Sequence, residues 1–213
     1  MPATPDYPIY QRLPGLVLGF HGCEKDVACK LLEVDGGIEH LKPSANKYDW
    51  LGNGVYFWEN DPRRAWEFAW ERHTQFPSDK RGHIRDPFVI GAVIDLGLCL
   101  NLTDRRALNE VRSAHQYLTS AAEELKQALP KNTGREFGAR LLDRAVIETV
   151  HTLREYSKAP DGAPLALAPY DTVRSPFQEG DALYDGAGFQ AKNHIQIAVR
   201  NLACIKGYFK PIV

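Results

Sequence analysis

Two short segments of this chain carry residue types that together can build a cleft for a sugar. The first is the step His21-Gly22, which ends an apolar run beginning at Leu16. The second is Gly52-Asn53-Gly54-Val55-Tyr56-Phe57, a glycine turn that leads into an aromatic strand. One imidazole and one flat ring on separate strands make the walls of a pocket for a ribose beside a positively charged aromatic ring. The imidazole hydrogen-bonds a hydroxyl, and the ring stacks on the cation. Each signal alone is weak, since a histidine at a strand end is commonly a core residue and paired glycines commonly mark turns. Their combination, with Tyr56 placed 35 residues after His21, is the informative feature.

The elements that must position these residues follow from periodicity and punctuation. Leu16 to His21 reads as a short buried strand. Val27, Ala28, Leu31 and Leu32 recur at helical spacing, with Gly36-Gly37 as a stop. Residues 43–54 are turn-rich, and Val55 to Trp58 is a short aromatic strand. Asp61 reads as a helix N-cap with Pro62 in the first helical position, and Ala65, Trp66, Ala69 and Trp70 supply a helix face. Residues 77–87 form a polar, basic loop. Phe88 to Leu102 reads as central strand, broken near Gly97. Two helices follow, one carrying Leu108 to Ala128 and ending by Pro130, the other carrying Phe137 to Leu153. Residues 157–169 read as a loop. Ala182–Tyr184, His194–Val199 and Ala203–Phe209 read as strands. The expected architecture is one α+β domain over 1–213, with a helical pair at about 104–156 inserted between two halves of a sheet.

Composition bounds the function classes. The chain has 213 residues, 44% of them apolar, enough for a single large domain with its own core. A net charge of −1 gives no support to a sequence-blind nucleic-acid binder, which needs a strong positive field. Cys23, Cys29, Cys99 and Cys204 show no zinc spacing. Cys99 and Cys204 read as buried thiols, and Cys23 as a residue at the edge of the cleft. Met1 to Pro8 shows no basic segment followed by an apolar stretch, and no apolar run reaches the roughly 20 residues of a membrane span. The expectation is a cytoplasmic protein without a membrane partner.

The motifs resemble the catalytic domain of the poly(ADP-ribose) polymerase and diphtheria-toxin-like ADP-ribosyltransferases. Phe20-His21-Gly22-Cys23 is similar to that family's His-Gly-Ser/Thr strand, and Leu51-Gly52-Asn53-Gly54-Val55-Tyr56-Phe57 to its Gly-x-Gly-Ile-Tyr-Phe segment. Leu41-Lys42-Pro43, Val89 to Gly97 and Asn193 to Val199 resemble further segments, and the phrase Ser44 to Gly52 resembles a bacterial subgroup of toxin or phage-defence type. The resemblance implies a split β-sheet core with flanking helices, to which the helical pair is an addition. It implies NAD as co-substrate, no metal, an ADP-ribose acceptor that is protein or nucleic acid, and an antitoxin protein as partner.

The resemblance also implies roles. His21 binds a ribose hydroxyl, Gly22 lets its backbone approach the carboxamide, and Tyr56 stacks on the nicotinamide. Gly54 shapes the turn beside the cofactor. Trp66 or Phe68 is the candidate for the opposite face, and Lys42 or Asn46 for the adenosine half. Gln196 stands where the family carries a glutamate. It retains hydrogen bonding without the charge, which argues against polymer synthesis and for single transfer. Glu179 is the candidate carboxylate from elsewhere, with Glu59 a weaker one. Three alternatives remain open: NAD hydrolysis in the same cleft, an inactive NAD or ADP-ribose binding module, and an interaction domain docking through the helical pair. Of the remaining polar residues, Asp143 and Arg144 read as a structural ion pair, and His115 and His151 as helix residues. His194 shares a strand face with Gln196. Arg63, Arg64, Arg72, Lys80, Arg81 and Arg85 form the densest basic stretch.

Overall fold

A computed structural model describes residues 15–33, 41–78, 82–134, 139–156 and 167–212. The Gly36-Gly37 stop, Phe137, Lys80, Arg81, Met1 to Pro8 and residues 157–166 of the expected loop lie outside the described residues. The strands are β1 (Leu16–Glu24), β2 (Val55–Glu59), β3 (Pro87–Asp95), β4 (Cys99–Asn101), β5 (Asn132–Thr133), β6 (Ala139–Arg140), β7 (Thr172–Phe177), β8 (His194–Val199) and β9 (Ile205–Phe209). The helices are α1 (Lys25–Leu32), α2 (Pro62–Thr74), α3 (Arg105–Glu124) and α4 (Leu141–Tyr156). Seven strands form one mixed sheet in the order β4-β7-β8-β2-β1-β3-β9, and β5 with β6 makes a separate small ribbon. β4 and β7 are parallel, whereas the other neighbours in the large sheet are antiparallel.

The seam between β1 and β2 is the feature that matters for the site. Only Gly19↔Glu59 and Phe20↔Trp58 pair across it, while β1 pairs with β3 along its whole length. On one face, Val55, Phe57, Ile90, Ile94 and Ile197 join Ala28 of α1 in the main core. Each such fully buried apolar side chain contributes about 1.5–3 kcal/mol. On the other face, two groups of helices sit on either side of the seam. Ala65 of α2 packs with Phe20 and Trp58. Ala107 and Ala114 of α3 and Val146, Ile147 and Val150 of α4 pack with Leu100, Val173 and Ala198.

Helix α2 begins as its sequence implies. The Asp61 carboxylate accepts from Arg64 N at 2.9 Å, and Pro62 occupies the first turn. Its inward face is narrower than expected. Ala65 and Ala69 are fully buried, but Trp66 and Trp70 are 44% and 49% exposed and stack on each other with centroids 6.0 Å apart. Successive residues turn by about 100° around a helix, so the two alanines and the two tryptophans occupy different faces. The inward face has room only for alanine: a Cβ on Gly22 of β1 would lie 2.2 Å from the Ala65 carbonyl oxygen. Gly22 is therefore the packing contact that brings α2 down onto the sheet.

The helical pair leaves from β4 and returns to β7, adjacent parallel strands, as a crossover that covers the sheet. The last third of the chain differs from expectation. Ala182–Tyr184 is no strand. Ala182 makes a single bridge to Gln190, and Leu183 and Tyr184 are exposed. The chain instead forms β7 upstream. Residues 202–204 form a 3-10 turn before β9.

Candidate active site

Between α2 and the 42–56 segment, over the β1–β2 seam, lies a cavity of about 450 Å³. His21, Lys42, Asn46, Gly54, Tyr56, Phe68, Glu179 and Gln196 all line it. Gly22 lines an adjoining hollow of about 340 Å³ that shares His21, Asn46 and Phe68 with the first. Trp66 lines neither, because its helix face points to solvent. Phe68, on the flank of α2 that faces the cavity, packs its ring 5.1 Å from Trp58 and carries the Arg72 guanidinium at 5.0 Å.

His21 sits where the β1–β2 ladder stops. Its Nδ1 lies 2.7 Å from the Tyr56 carbonyl oxygen, in place of the next backbone pair. That oxygen only accepts, so Nδ1 carries the proton and Nε2 of the neutral ring is an acceptor. Burial lowers the His21 pKa, against the opposing pull of the carbonyl contact, which favours this neutral form. An acceptor nitrogen suits a ribose hydroxyl.

Tyr56 is fixed through its phenol. The hydroxyl donates to Gly52 O at 2.8 Å and accepts from Leu51 N at 3.0 Å. Burial pushes its pKa up, so it stays protonated. The hydroxyl is thus occupied, and the ring is what it offers the cavity. Lys42 is exposed, whereas Asn46 is tied into a turn centred on buried Asp49. Asp49 Oδ2 accepts from Asn46 N at 2.5 Å and from Ser44 Oγ at 2.7 Å. Gly54 exchanges backbone bonds with Ser44, and a Cβ there would meet Val199 O at 2.8 Å.

Gln196 is oriented by a tryptophan. Trp50 Nε1, which only donates, lies 2.7 Å from Gln196 Oε1. The glutamine amide nitrogen has no protein partner among the described residues, so Gln196 offers the cavity a donor. Glu179 follows β7, and both its carboxylate oxygens lie 2.9 Å from Arg64 Nη2. Arg64 is nine-tenths buried, with its guanidinium 5.7 Å over the Trp58 ring. His194 also reaches this corner: its Nδ1 contacts Lys192 O at 2.6 Å and lies 3.9 Å from Glu179. Burial lowers the His194 pKa, with Arg64 adding to the effect.

Several side chains have other occupations. Glu59 is held bidentately by Arg174 across the sheet and does not line the cavity. Cys23 packs in the main core and also lines the adjoining hollow, and burial pushes its thiol up to about 12, so it supplies no thiolate at neutral pH. Cys204 is buried and Cys99 half-buried. Asp143 and Arg144 do not pair with each other. Asp143 meets Arg140 at 3.6 Å and Asn132 at 2.8 Å, while Arg144 donates to Asn53 Oδ1. One helical turn separates residues three or four apart, so neighbours in sequence diverge. His115 is exposed and His151 buried. In the basic stretch, Arg63 faces solvent beside Glu67, and Arg64 faces the cavity.

Sequence reasoning missed Trp50, Trp58, Arg64 and Phe177 as cavity residues. A signal existed for Arg64: from the Asp61 cap, helical spacing puts it on one flank with Phe68, Glu71 and Gln75, all of which line the cavity. Among the described residues no group of three His, Cys, Asp or Glu side chains could hold a metal ion, and no helix is long and apolar enough to cross a membrane. No family model, curated protein or solved structure matches the chain.

Proposed function

We propose that this protein is an NAD-dependent mono-ADP-ribosyltransferase acting on a protein or nucleic-acid acceptor. The observation that carries this reading is the convergence of His21, Tyr56, Glu179 and Gln196, from four separate segments, on one cavity. The bond to be broken joins the nicotinamide nitrogen to C1′ of its ribose. The electron pair leaves with the nicotinamide, which becomes neutral, and C1′ becomes oxocarbenium-like. Tyr56 stacks on the cationic ring of bound NAD, and His21 Nε2 accepts from a ribose hydroxyl. Glu179, held by Arg64, supplies negative charge to the developing cation, and Gln196 donates its amide N–H to the ribose. The acceptor's lone pair then closes on C1′, and its proton passes to a carboxylate or to water. A toxin or phage-defence setting with an antitoxin partner belongs to the same proposal.

The test is incubation of the purified protein with labelled NAD and cell lysate. Label entering macromolecules is expected, and nuclease or protease treatment then assigns the acceptor class. Loss of NAD with no labelled macromolecule would transfer the reading to NAD hydrolysis in the same cavity. Untouched NAD would sink it.

A further inference from the structure

The turn that carries the cavity's tyrosine is gripped from outside the cavity. Gly52 has a left-handed φ of +81°, and a Cβ there would lie 2.4 Å from Glu148 Oε1. The missing side chain is the opening through which a glutamate of α4 reaches the turn. Glu148 Oε1 accepts from Asn53 N at 2.6 Å and from Arg200 Nη1 at 2.8 Å. Arg200 Nη1 also reaches Asn53 O at 3.1 Å, and Arg144 Nη2 donates to Asn53 Oδ1 at 2.8 Å. The Asn53 N–H, carbonyl and side-chain oxygen are therefore all held by side chains from α4 and the end of β8. The next link is Tyr56, whose hydroxyl bonds Gly52 O and Leu51 N in the same turn.

We infer that Glu148 is a positioning residue: it holds the Gly52–Gly54 turn and, through it, sets the angle of the Tyr56 ring at the cavity wall. The helical pair is thereby part of the site's construction. The inference deepens the proposed function and rests on it only for its catalytic consequence. A carboxylate fits this role because it accepts from two donors at once, and its charge strengthens both bonds. Arg200 and the Asn53 N–H hold Glu148 below the usual carboxylate range in spite of its burial.

The experiment compares Glu148→Ala with Glu148→Gln, the latter keeping an acceptor for the Asn53 N–H. Hydrogen exchange at Leu51 and Asn53, read without any ligand, is expected to accelerate by about tenfold or more in Glu148→Ala, the factor that a lost charged hydrogen bond carries. In Glu148→Gln a smaller acceleration is expected, because the acceptor stays and the charge is lost. With NAD, Glu148→Ala is expected to raise KM more than it lowers kcat. It should also be non-additive with Tyr56→Phe, which severs the same chain of contacts at its other end. Unchanged exchange at Leu51 and Asn53 in a folded Glu148→Ala protein would overturn the inference. So would full additivity with Tyr56→Phe. A wild-type protein that leaves NAD intact would defeat the proposed function, while the exchange measurement still decides the grip.

Discussion

The cavity has two walls built on different principles. On the Tyr56 side the polar groups of the glycine turn are matched: the Tyr56 hydroxyl makes two bonds, and Asn53 makes three to Glu148, Arg144 and Arg200. On the Glu179 side the matching is incomplete. Arg64 Nε and Nη1, Trp58 Nε1 and His194 Nε2 are buried without a hydrogen-bond partner among the described residues. Buried polar groups in folded proteins are mostly paired, because an unpaired one costs about 1–3 kcal/mol. The Tyr56 wall thus has one preferred arrangement, set by many mutually reinforcing bonds. The Glu179 wall holds a charged pair amid groups that gain from regrouping. A site with one fixed wall to receive a flat ring and one adjustable wall carrying a carboxylate suits a reaction in which the ring departs and charge develops beside it.

The sharpest way to break this contrast is Glu179→Gln. The amide keeps the shape and one acceptor for Arg64 but removes the charge. Loss of one electrostatic stabiliser of a developing charge costs about 100- to 1000-fold in turnover, so a fall of that size is expected with the melting temperature nearly unchanged. Steady-state kinetics with NAD measures it. Wild-type turnover would mean that the Glu179 wall contributes packing alone, and the contrast would lose its functional content.

The matched wall has exceptions in its foundation, Arg144 Nε and the His151 ring, and pH exposes the second. His151 of α4 is buried, with neither ring nitrogen bonded among the described residues. Burial, aided by Arg200, lowers its pKa from 6.5 to about 4. Between those values the unfolded chain binds a proton that the folded chain refuses. Stability is therefore full above pH 6.5 and declines as pH falls towards 4, by about 3 kcal/mol from this one group. His151→Leu should remove that share of the acid loss. Urea unfolding of both proteins at pH 7.5 and 4.5 checks it, and equal acid losses would show that His151 does not remain neutral in the fold.

Much of the Tyr56 side was legible in the sequence, and little of the Glu179 side was. The glycine turn, the aromatic strand β2, the Asp61 cap and the break at Gly97 are local patterns, and each element forms where its pattern lies. β7 had no such pattern. Thr172 to Phe177 contains an arginine and a proline, and proline is excluded from paired strand interiors. The fold accommodates Pro176 because β4 pairs only as far as Arg174, leaving that edge of β7 open beyond it. Missing β7 moved the expected strand downstream to Ala182–Tyr184. Long-range polar contacts were equally hidden. Asn53 and Glu148 are 95 residues apart, and nothing in either segment names the other. The resemblance directed attention to Gln196, but the partner that orients it, Trp50, lies 146 residues away.

Gln196 stands at the junction of the two walls and gives the finest test of the contrast. Gln196→Glu changes one amide nitrogen to oxygen. The Trp50 indole can still donate to one carboxylate oxygen, so the side chain keeps its place. The other oxygen then faces the cavity as an acceptor, where the glutamine offered a donor. With Asp49, Glu71 and Glu179 lining the same cavity, the variant adds a further carboxylate to a site that already holds acidic groups. Like charges in one site raise the pKa of at least one of them, so part of the added charge is absent near neutral pH. The expected gain in nicotinamide release is therefore small, a few-fold, and should grow as pH rises from 6 to 8 because the added carboxylate then ionises. Product length on a gel shows whether the added carboxylate also permits a second transfer onto the first ADP-ribose. A rate and product distribution identical to wild type across that pH range would show that position 196 does not contact the reacting ribose. The junction would then belong to the support of Trp50 instead of to the chemistry.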